Sequence, residues 1–339
     1  MTIHALTKKK KLHTLSAGQL FFGFFILFCL LLILKNPEVA VSYMNRGLLL
    51  CAKTVIPSLF PFMVISDLIV RGGIGDLLLR RSCKPLRRLL GLSEAGCVAM
   101  LLGMLCGFPV GAKCTVLSYE RGTLTREEAE RLLCFSNNPS SAFLISAVGV
   151  SLWNSKPFGT ALYATVLFAS FLTALLTHLL QKKKHMQAPY APFPTASAST
   201  LKGAKLFTES ISSATGSMLL VCSYVVFFSA LLGTLNIVLS TLGANTKISA
   251  VLFCLFELSG GVSQASALQN TTLAALLTAF AVGWSGLSVH CQILSVCDGK
   301  GLSLRPYFAA KLLQGALCVI LFWLLLTLFP SLLVPMQKL

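Results

Sequence analysis

Apolar runs, each about as long as a helix needs to cross a hydrocarbon layer, follow one another along this chain, and short polar blocks separate them. Seven of these runs read as full spans, at about 17–34, 47–70, 132–152, 158–180, 211–235, 273–296 and 307–329. Two further apolar stretches, 93–115 and 248–268, are poor at holding a continuous helix. The first carries Gly103, Gly107 and Gly111, with Pro109 between the last two. Glycines four residues apart suit a helix-packing face, but a proline removes a backbone donor and clashes with the preceding turn. A hairpin that enters and leaves on one side is therefore expected here. The second stretch carries Ser259-Gly260-Gly261, an equally weak helix former. Backbone groups freed at membrane depth have to be buried in protein or line a wet cavity. The ten-residue alternation of an outer-membrane barrel is absent from the sequence.

Composition agrees with this pattern. Of 339 residues, 55% are hydrophobic and only 12% are charged, more apolar surface than a soluble fold of this length can hide. The net charge of +17 raises nucleic acid as a partner, but the basic residues sit in short blocks between spans without interleaved aromatics. With both broken stretches read as re-entrant, 22 of the 28 Lys and Arg residues fall on one side, in blocks 8–11, 71–88, 113–131, 182–205 and 300–311. The positive-inside rule then places the N-terminus in the cytoplasm and the short C-terminus outside. The basic 8–11 block and the run 20–34 resemble a signal peptide but lack a small-x-small cleavage site, so an uncleaved first span is expected. Twelve cysteines without a C-x-x-C pair read as free thiols, with neither a metal centre nor a disulfide framework. No H-E-x-x-H, G-x-S-x-G or phosphate-loop pattern points to an enzyme.

The Pro-, Ala-, Ser- and Thr-rich stretch 186–204 reads as a cytoplasmic linker. The expected organisation is an N-terminal tail and first helix (1–36), a first repeat (37–182), the linker (183–207), a second repeat (208–332) and a short tail (333–339). Each repeat has a span, a broken segment, a span opening with polar residues, and a closing span. Three crossings per repeat make the second enter from the opposite side. The expected fold is an all-α polytopic membrane protein built from two inverted repeats with broken, re-entrant helices, an organisation associated with secondary transporters.

Several motifs are similar to a known family. Leu59-Phe60-Pro61-Phe62, Gly107-Phe108-Pro109-Val110-Gly111-Ala112-Lys113, and Arg121-Gly122-x-Leu124-Thr125-x-Glu127-x-Ala129-Glu130-Arg131-Leu132-Leu133 resemble the YlbJ (SpoVV) family of sporulation integral membrane proteins. Phe135-Ser136-Asn137 and Gly286-Leu287-Ser288-Val289-His290-x-Gln292 resemble it too, and the likeness runs from about residue 40 onward. The family belongs to the nucleoside-recognition Gate group, related to concentrative nucleoside transporters. The resemblance implies transport of dipicolinic acid from the mother cell across the outer forespore membrane, with a Gate-type permease for a nucleoside or another small solute as the alternative. One departure is that Glu257-Leu258-Ser259-Gly260-Gly261 lacks a copy of the Gly-x-Pro turn.

The candidate chemistry lies at the breaks. Gly107 and Pro109 shape the first hairpin; Ser259 and Gly260 shape the second. Lys113, at the exit of the first hairpin, either attracts a carboxylate or snorkels as an anchor. Asn137, Asn138, Ser140 and Ser141 cluster around Pro139 where a span begins, and a helix N-terminus favours an anion. Interhelical hydrogen bonding is the other reading of these four. Ser285, Ser288 and Gln292 fall at helical spacing in the second half. His290, off that face, is a proton carrier or a packed core residue. Glu257 in its apolar stretch is a coupling or pathway group or a structural acid. Asp67 reads as an interfacial anchor. No cofactor or metal is expected. The expected partners are the lipid bilayer and a small anionic solute, not nucleic acid, and a homo-oligomer is left open.

Overall fold

The computed structural model describes residues 17–73, 84–182, 203–243 and 245–333, and their regular structure is entirely helical. The linker stretch 183–202 and the 8–11 block fall outside the described residues. Helix α1 (Ala17–Lys35) leads into α2 (Pro37–Leu50), which continues through a π turn (Cys51–Val55) into α3 (Ile56–Arg71). A short α4 (Lys84–Leu90) precedes the hairpin α5 (Glu94–Cys106) and α6 (Val110–Glu120). After the amphipathic α7 (Arg126–Leu133) come an unwound stretch, a wide π helix (Ala142–Leu152) and α8 (Lys156–Lys182). The second half has α9 (Ala204–Thr241), the hairpin α10 (Thr246–Phe256) and α11 (Leu258–Ser266), α12 (Thr271–Trp284), α13 (Gly286–Cys297) and α14 (Arg305–Leu328).

Among the described residues five helical runs are long and apolar enough to cross a membrane: Pro37–Arg71, Lys156–Leu180, Ala204–Thr241, Thr271–Cys297 and Arg305–Leu328. They present large apolar side chains outward, such as Leu180 and Leu328, 71% and 72% exposed. Such a surface needs lipid around it. The hairpin helices have 13, 11, 11 and 9 residues, at most about 20 Å each, against a hydrocarbon core of about 30 Å. Each pair folds back on itself. A Cβ on Gly103 would lie 2.7 Å from the Gly111 Cα, and one on Gly261 would lie 2.6 Å from the Cys254 Cα.

Two of the seven expected spans are not among these five: 17–34 contributes a shorter apolar helix, Gly23–Lys35, and 132–152 is absent as such. Residues 132–152 do not form a continuous helix: α7 ends at Leu133, and 137–140 have no regular structure before the π helix begins. Pro139 has no N–H for the carbonyl four residues back and disfavours helix at Asn138. The orphaned Phe135 carbonyl instead accepts from Ser170 Oγ (2.6 Å) and Asn138 Nδ2 (2.9 Å). The run 273–296 is also interrupted, at Ser285 and Gly286, whose φ values of 80° and 79° are left-handed. It nevertheless continues as one span. Residues 211–235 and 47–70 are the centres of longer helices, Ala204–Thr241 and Pro37–Arg71.

The halves do not form separate cores. Cys51, Leu59 and Met63 pack with Val98, Leu102 and Val110 and also with Met218 and Val221 from the second half. Leu144, Phe158 and Leu162 pack with Cys254, Val282 and Phe322.

Candidate functional site

The three glycines of the first hairpin receive the unwound stretch. A Cβ at Gly103 would sit 1.9 Å from the Ser136 carbonyl oxygen, and one at Gly111 would sit 2.1 Å from it. One at Gly107 would meet Ser140 Cβ at 2.8 Å. The glycine spacing is therefore a packing face, but its partner is extended backbone rather than another helix. In the second half Gly286 does the same for the other hairpin: a Cβ there would approach Leu258 N at 3.0 Å and Glu257 Cα at 3.2 Å. In both halves the hairpin break meets the break of the segment that follows.

The breaks enclose a cavity of about 40 Å³. Its walls include Ser58 and Leu59 of α3, Phe108 at the first hairpin tip, Pro139 and Ser140 of the unwound stretch, and Phe143 of the π helix. Glu257 and Ser259 come from the second hairpin, Ser288 and Gln292 from α13, and Val221 and Val225 from α9. Four helices begin beside it, at Val110, Ala142, Leu258 and Gly286. Several of their first-turn N–H groups are already taken by side chains: Ala112 N donates to Asn137 and Phe143 N to Ser140 Oγ, and helix starts of this kind carry the positive ends of helix dipoles. Glu257 caps one of these ends, its carboxylate accepting from Ser259 N (3.0 Å) and Gly260 N (2.5 Å). Ser285 Oγ, Ser288 Oγ and Gln292 Oε1 are buried with no hydrogen-bond partner among the described residues. Buried polar atoms are normally paired, so an unpaired group at a cavity is a place where a solute could bond.

Of the candidates read from sequence, Ser140, Glu257, Ser259, Ser288 and Gln292 therefore come together on the cavity wall. Gly107, Pro109, Ser141, Gly260 and Ser285 shape the breaks around it without lining it. Asn137 and Asn138 are engaged elsewhere. Asn137 accepts from Ala112 N (2.6 Å) and donates to the Leu133 carbonyl (3.1 Å). Asn138 accepts from Gln314 Nε2 at 2.6 Å. Both follow the interhelical reading, holding the unwound stretch in place. Lys113 Nζ lies 3.1 Å from Asp67 Oδ1, and Arg71 Nε lies 2.7 Å from Asp67 Oδ2. The lysine thus ties α6 to α3, and the buried Asp67 is more than an interfacial anchor. His290 Nδ1 is 2.7 Å from Tyr307 Oη, and the ring packs among Trp284, Tyr307 and Phe308. It follows the packed-core reading.

Two residues escaped the sequence reading. Lys311, counted there in a cytoplasmic basic block, is fully buried and donates to the Asn137 carbonyl (2.9 Å) and to Gln314 Oε1 (2.9 Å). Gln314 is fully buried beside it. A legible signal existed: Tyr307, Lys311, Gln314, Cys318 and Phe322 recur at three- and four-residue spacing, and all are buried on one stripe of α14. Side chains also meet the other freed carbonyls. Tyr163 Oη donates to Met104 O (3.3 Å) and Trp284 Nε1 to Leu255 O (3.0 Å), each near the end of a hairpin's first helix.

On the cytoplasmic side expected from charge, loops are clamped through α7. Thr125 caps it by accepting from Glu128 N. The Glu128 carboxylate accepts from Ser93 N (2.6 Å), and burial raises its pKa above the ordinary carboxylate value. Arg131 donates to the carbonyls of Leu90 (2.5 Å) and Gly91 (2.6 Å).

Fold and site define an α-helical, multi-pass membrane protein whose broken helices meet around a small, mainly apolar cavity that carries a few polar groups. Among characterised proteins the chain is similar to the sporulation integral membrane protein YlbJ of Bacillus subtilis (strain 168). The two are 27% identical over 334 residues, covering 88% of this chain and 81% of that protein. This likeness over almost the whole length supports the YlbJ family. No family model and no solved structure matches the chain.

Proposed function

We propose that this protein is a carrier for a small organic anion, dipicolinate, moving it from the mother cell across the outer forespore membrane during sporulation, with its N-terminus in the cytoplasm. The observation that carries the reading is that four helices begin beside a cavity whose Ser288 and Gln292 oxygens lack protein partners among the described residues. Helix ends of this kind favour a carboxylate, and a protein with only a scaffolding role has no use for unpaired polar groups at membrane depth. The sporulation role comes from the relative's name and from the motifs shared with its family. A cavity of about 40 Å³ holds about three waters, so a pyridine ring enters only when the hairpins move apart. Movement of one repeat against the other around a central site is how inverted-repeat carriers alternate their access.

One observation favours a second reading, carriage of a nucleoside or another uncharged ring solute. The cavity wall carries the acid Glu257 and no Lys or Arg.

The test is uptake of labelled dipicolinate by liposomes holding the full chain, with Ser288→Ala and Gln292→Met compared with the unaltered protein. Removing a buried polar atom that has no partner costs the fold little, so the variants keep their melting temperature. Each lost bond to the cargo lowers uptake about tenfold. Unchanged uptake in the double variant removes the cavity as the site. An unaltered protein that carries uridine and not dipicolinate moves the function to the second reading.

A further inference from the structure

Lys311 is the one fully buried lysine among the described residues, and no carboxylate pairs with it there. Its two hydrogen bonds go to neutral oxygens, the Asn137 carbonyl and Gln314 Oε1. An ammonium removed from water without a counter-ion is expensive, and the surroundings hold this one firmly. Gln314 passes the contact to Asn138 (2.6 Å), and Asn138 passes it to Ser170 (3.2 Å). Held by hydrogen bonds to neutral oxygens alone, its protonated form has no counter-ion to cancel its field on the neighbouring space.

Its position decides where that field acts. The unwound stretch is a partition one backbone thick. The Asn137 carbonyl faces the ammonium, and Pro139 and Ser140 face the cavity. Two residues of extended chain reach about 7 Å, so the ammonium stands within roughly 10 Å of the cavity wall. At that range, with an effective dielectric of about 20, a unit charge alters the partition of an anion roughly tenfold. The carboxylate of Glu257, also on the cavity wall, has both oxygens engaged by the N–H groups of Ser259 and Gly260, so it is held at its own helix end.

Resting on the carrier reading above, we infer that Lys311 is the specificity-determining cation of this cavity. Through the partition 137–140 its unpaired charge makes the site prefer an anionic ring solute to an uncharged one of the same shape. The lysine is a positioning and selecting group, since it bonds the partition and not the cargo.

The experiment is competitive uptake by liposomes holding the full chain, with pyridine-2,6-dicarboxylate and its uncharged diamide as paired probes. Lys311→Gln keeps hydrogen-bond donors and removes the charge; its dicarboxylate-to-diamide ratio falls about tenfold while diamide uptake persists. Lys311→Arg keeps the ratio. Gln314→Leu breaks the network, leaves the charge, and also keeps the ratio. An undiminished ratio in Lys311→Gln overturns the inference, as does a loss in Gln314→Leu or in Lys311→Arg as deep as the one expected of the Gln variant. Should Lys311→Gln not fold, the Arg and Gln314→Leu arms decide alone, since either one losing the preference refutes a role for charge. Unaltered protein that moves neither probe overturns the carrier reading itself, and this inference falls with it. Unaltered protein that prefers the dicarboxylate, beside a Lys311→Gln variant that prefers it equally, overturns the inference alone.

Discussion

Gly103→Ala tests the seat on which the site is built. The added methyl carbon would lie 1.9 Å from the Ser136 carbonyl oxygen and 2.7 Å from the Gly111 Cα. Both neighbours are backbone, so no side-chain rotation relieves the clash. Restoring van der Waals contact moves the unwound stretch by about 1.5 Å. That shift carries the stretch off the hairpin and lengthens the bond from Ala112 N to Asn137 Oδ1, 2.6 Å at rest, beyond hydrogen-bonding range. Overpacking costs about 1–3 kcal/mol, and a neutral hydrogen bond is worth about 0.5–1.5 kcal/mol. Together they give about 1.5–4.5 kcal/mol, or a fall of about 3–10 °C in melting temperature. The assay is thermal unfolding in detergent, followed by a thiol-reactive dye, because the thiols of Cys114, Cys134, Cys254 and Cys318 are buried and in no disulfide. Gly216→Ala is the control: nothing lies within 4 Å of a Cβ there, and alanine in a helix gains up to about 1 kcal/mol. If Gly103→Ala melts within a degree of the unaltered protein, the unwound stretch does not rest on this glycine face.

Two further outcomes follow from the loops around α7. Arg131→Met leaves the Leu90 and Gly91 carbonyls without their donor; it costs about 2–4 kcal/mol and exposes the neighbouring Arg87 and Arg88 to trypsin, and a digestion time course checks this. Glu128 has its pKa raised above 4.5 by burial, so between that value and its folded pKa the native state holds more proton than the unfolded one. Its contribution to stability is complete below pH 4.5 and declines as pH rises through that window. Glu128→Gln flattens that part of the stability profile, read as melting temperature between pH 4.5 and 7.

The sequence by itself determined the class of the protein and the places where its helices break. Hydropathy and helix propensity belong to a window of neighbouring residues, and Pro109, Pro139 and the Gly260-Gly261 pair act on the turn in which they sit. What those breaks face depends on residues far along the chain. Asn137 and Asn138 were legible as polar residues at a break, but their partners are Ala112, Ser170, Lys311 and Gln314, and the longest of these contacts joins residues 176 apart in sequence. The sequence alone could not distinguish a cargo ligand from an internal staple, because an amide has the same chemistry in either role and only packing selects its partner. Lys311 shows the same limit. By charge and by its closeness to a span end it counts as a cytoplasmic anchor, yet tertiary structure turns its stripe of α14 inward against the unwound stretch. That one choice of helix face sets the ammonium behind the cavity rather than in solvent, where its charge would be screened.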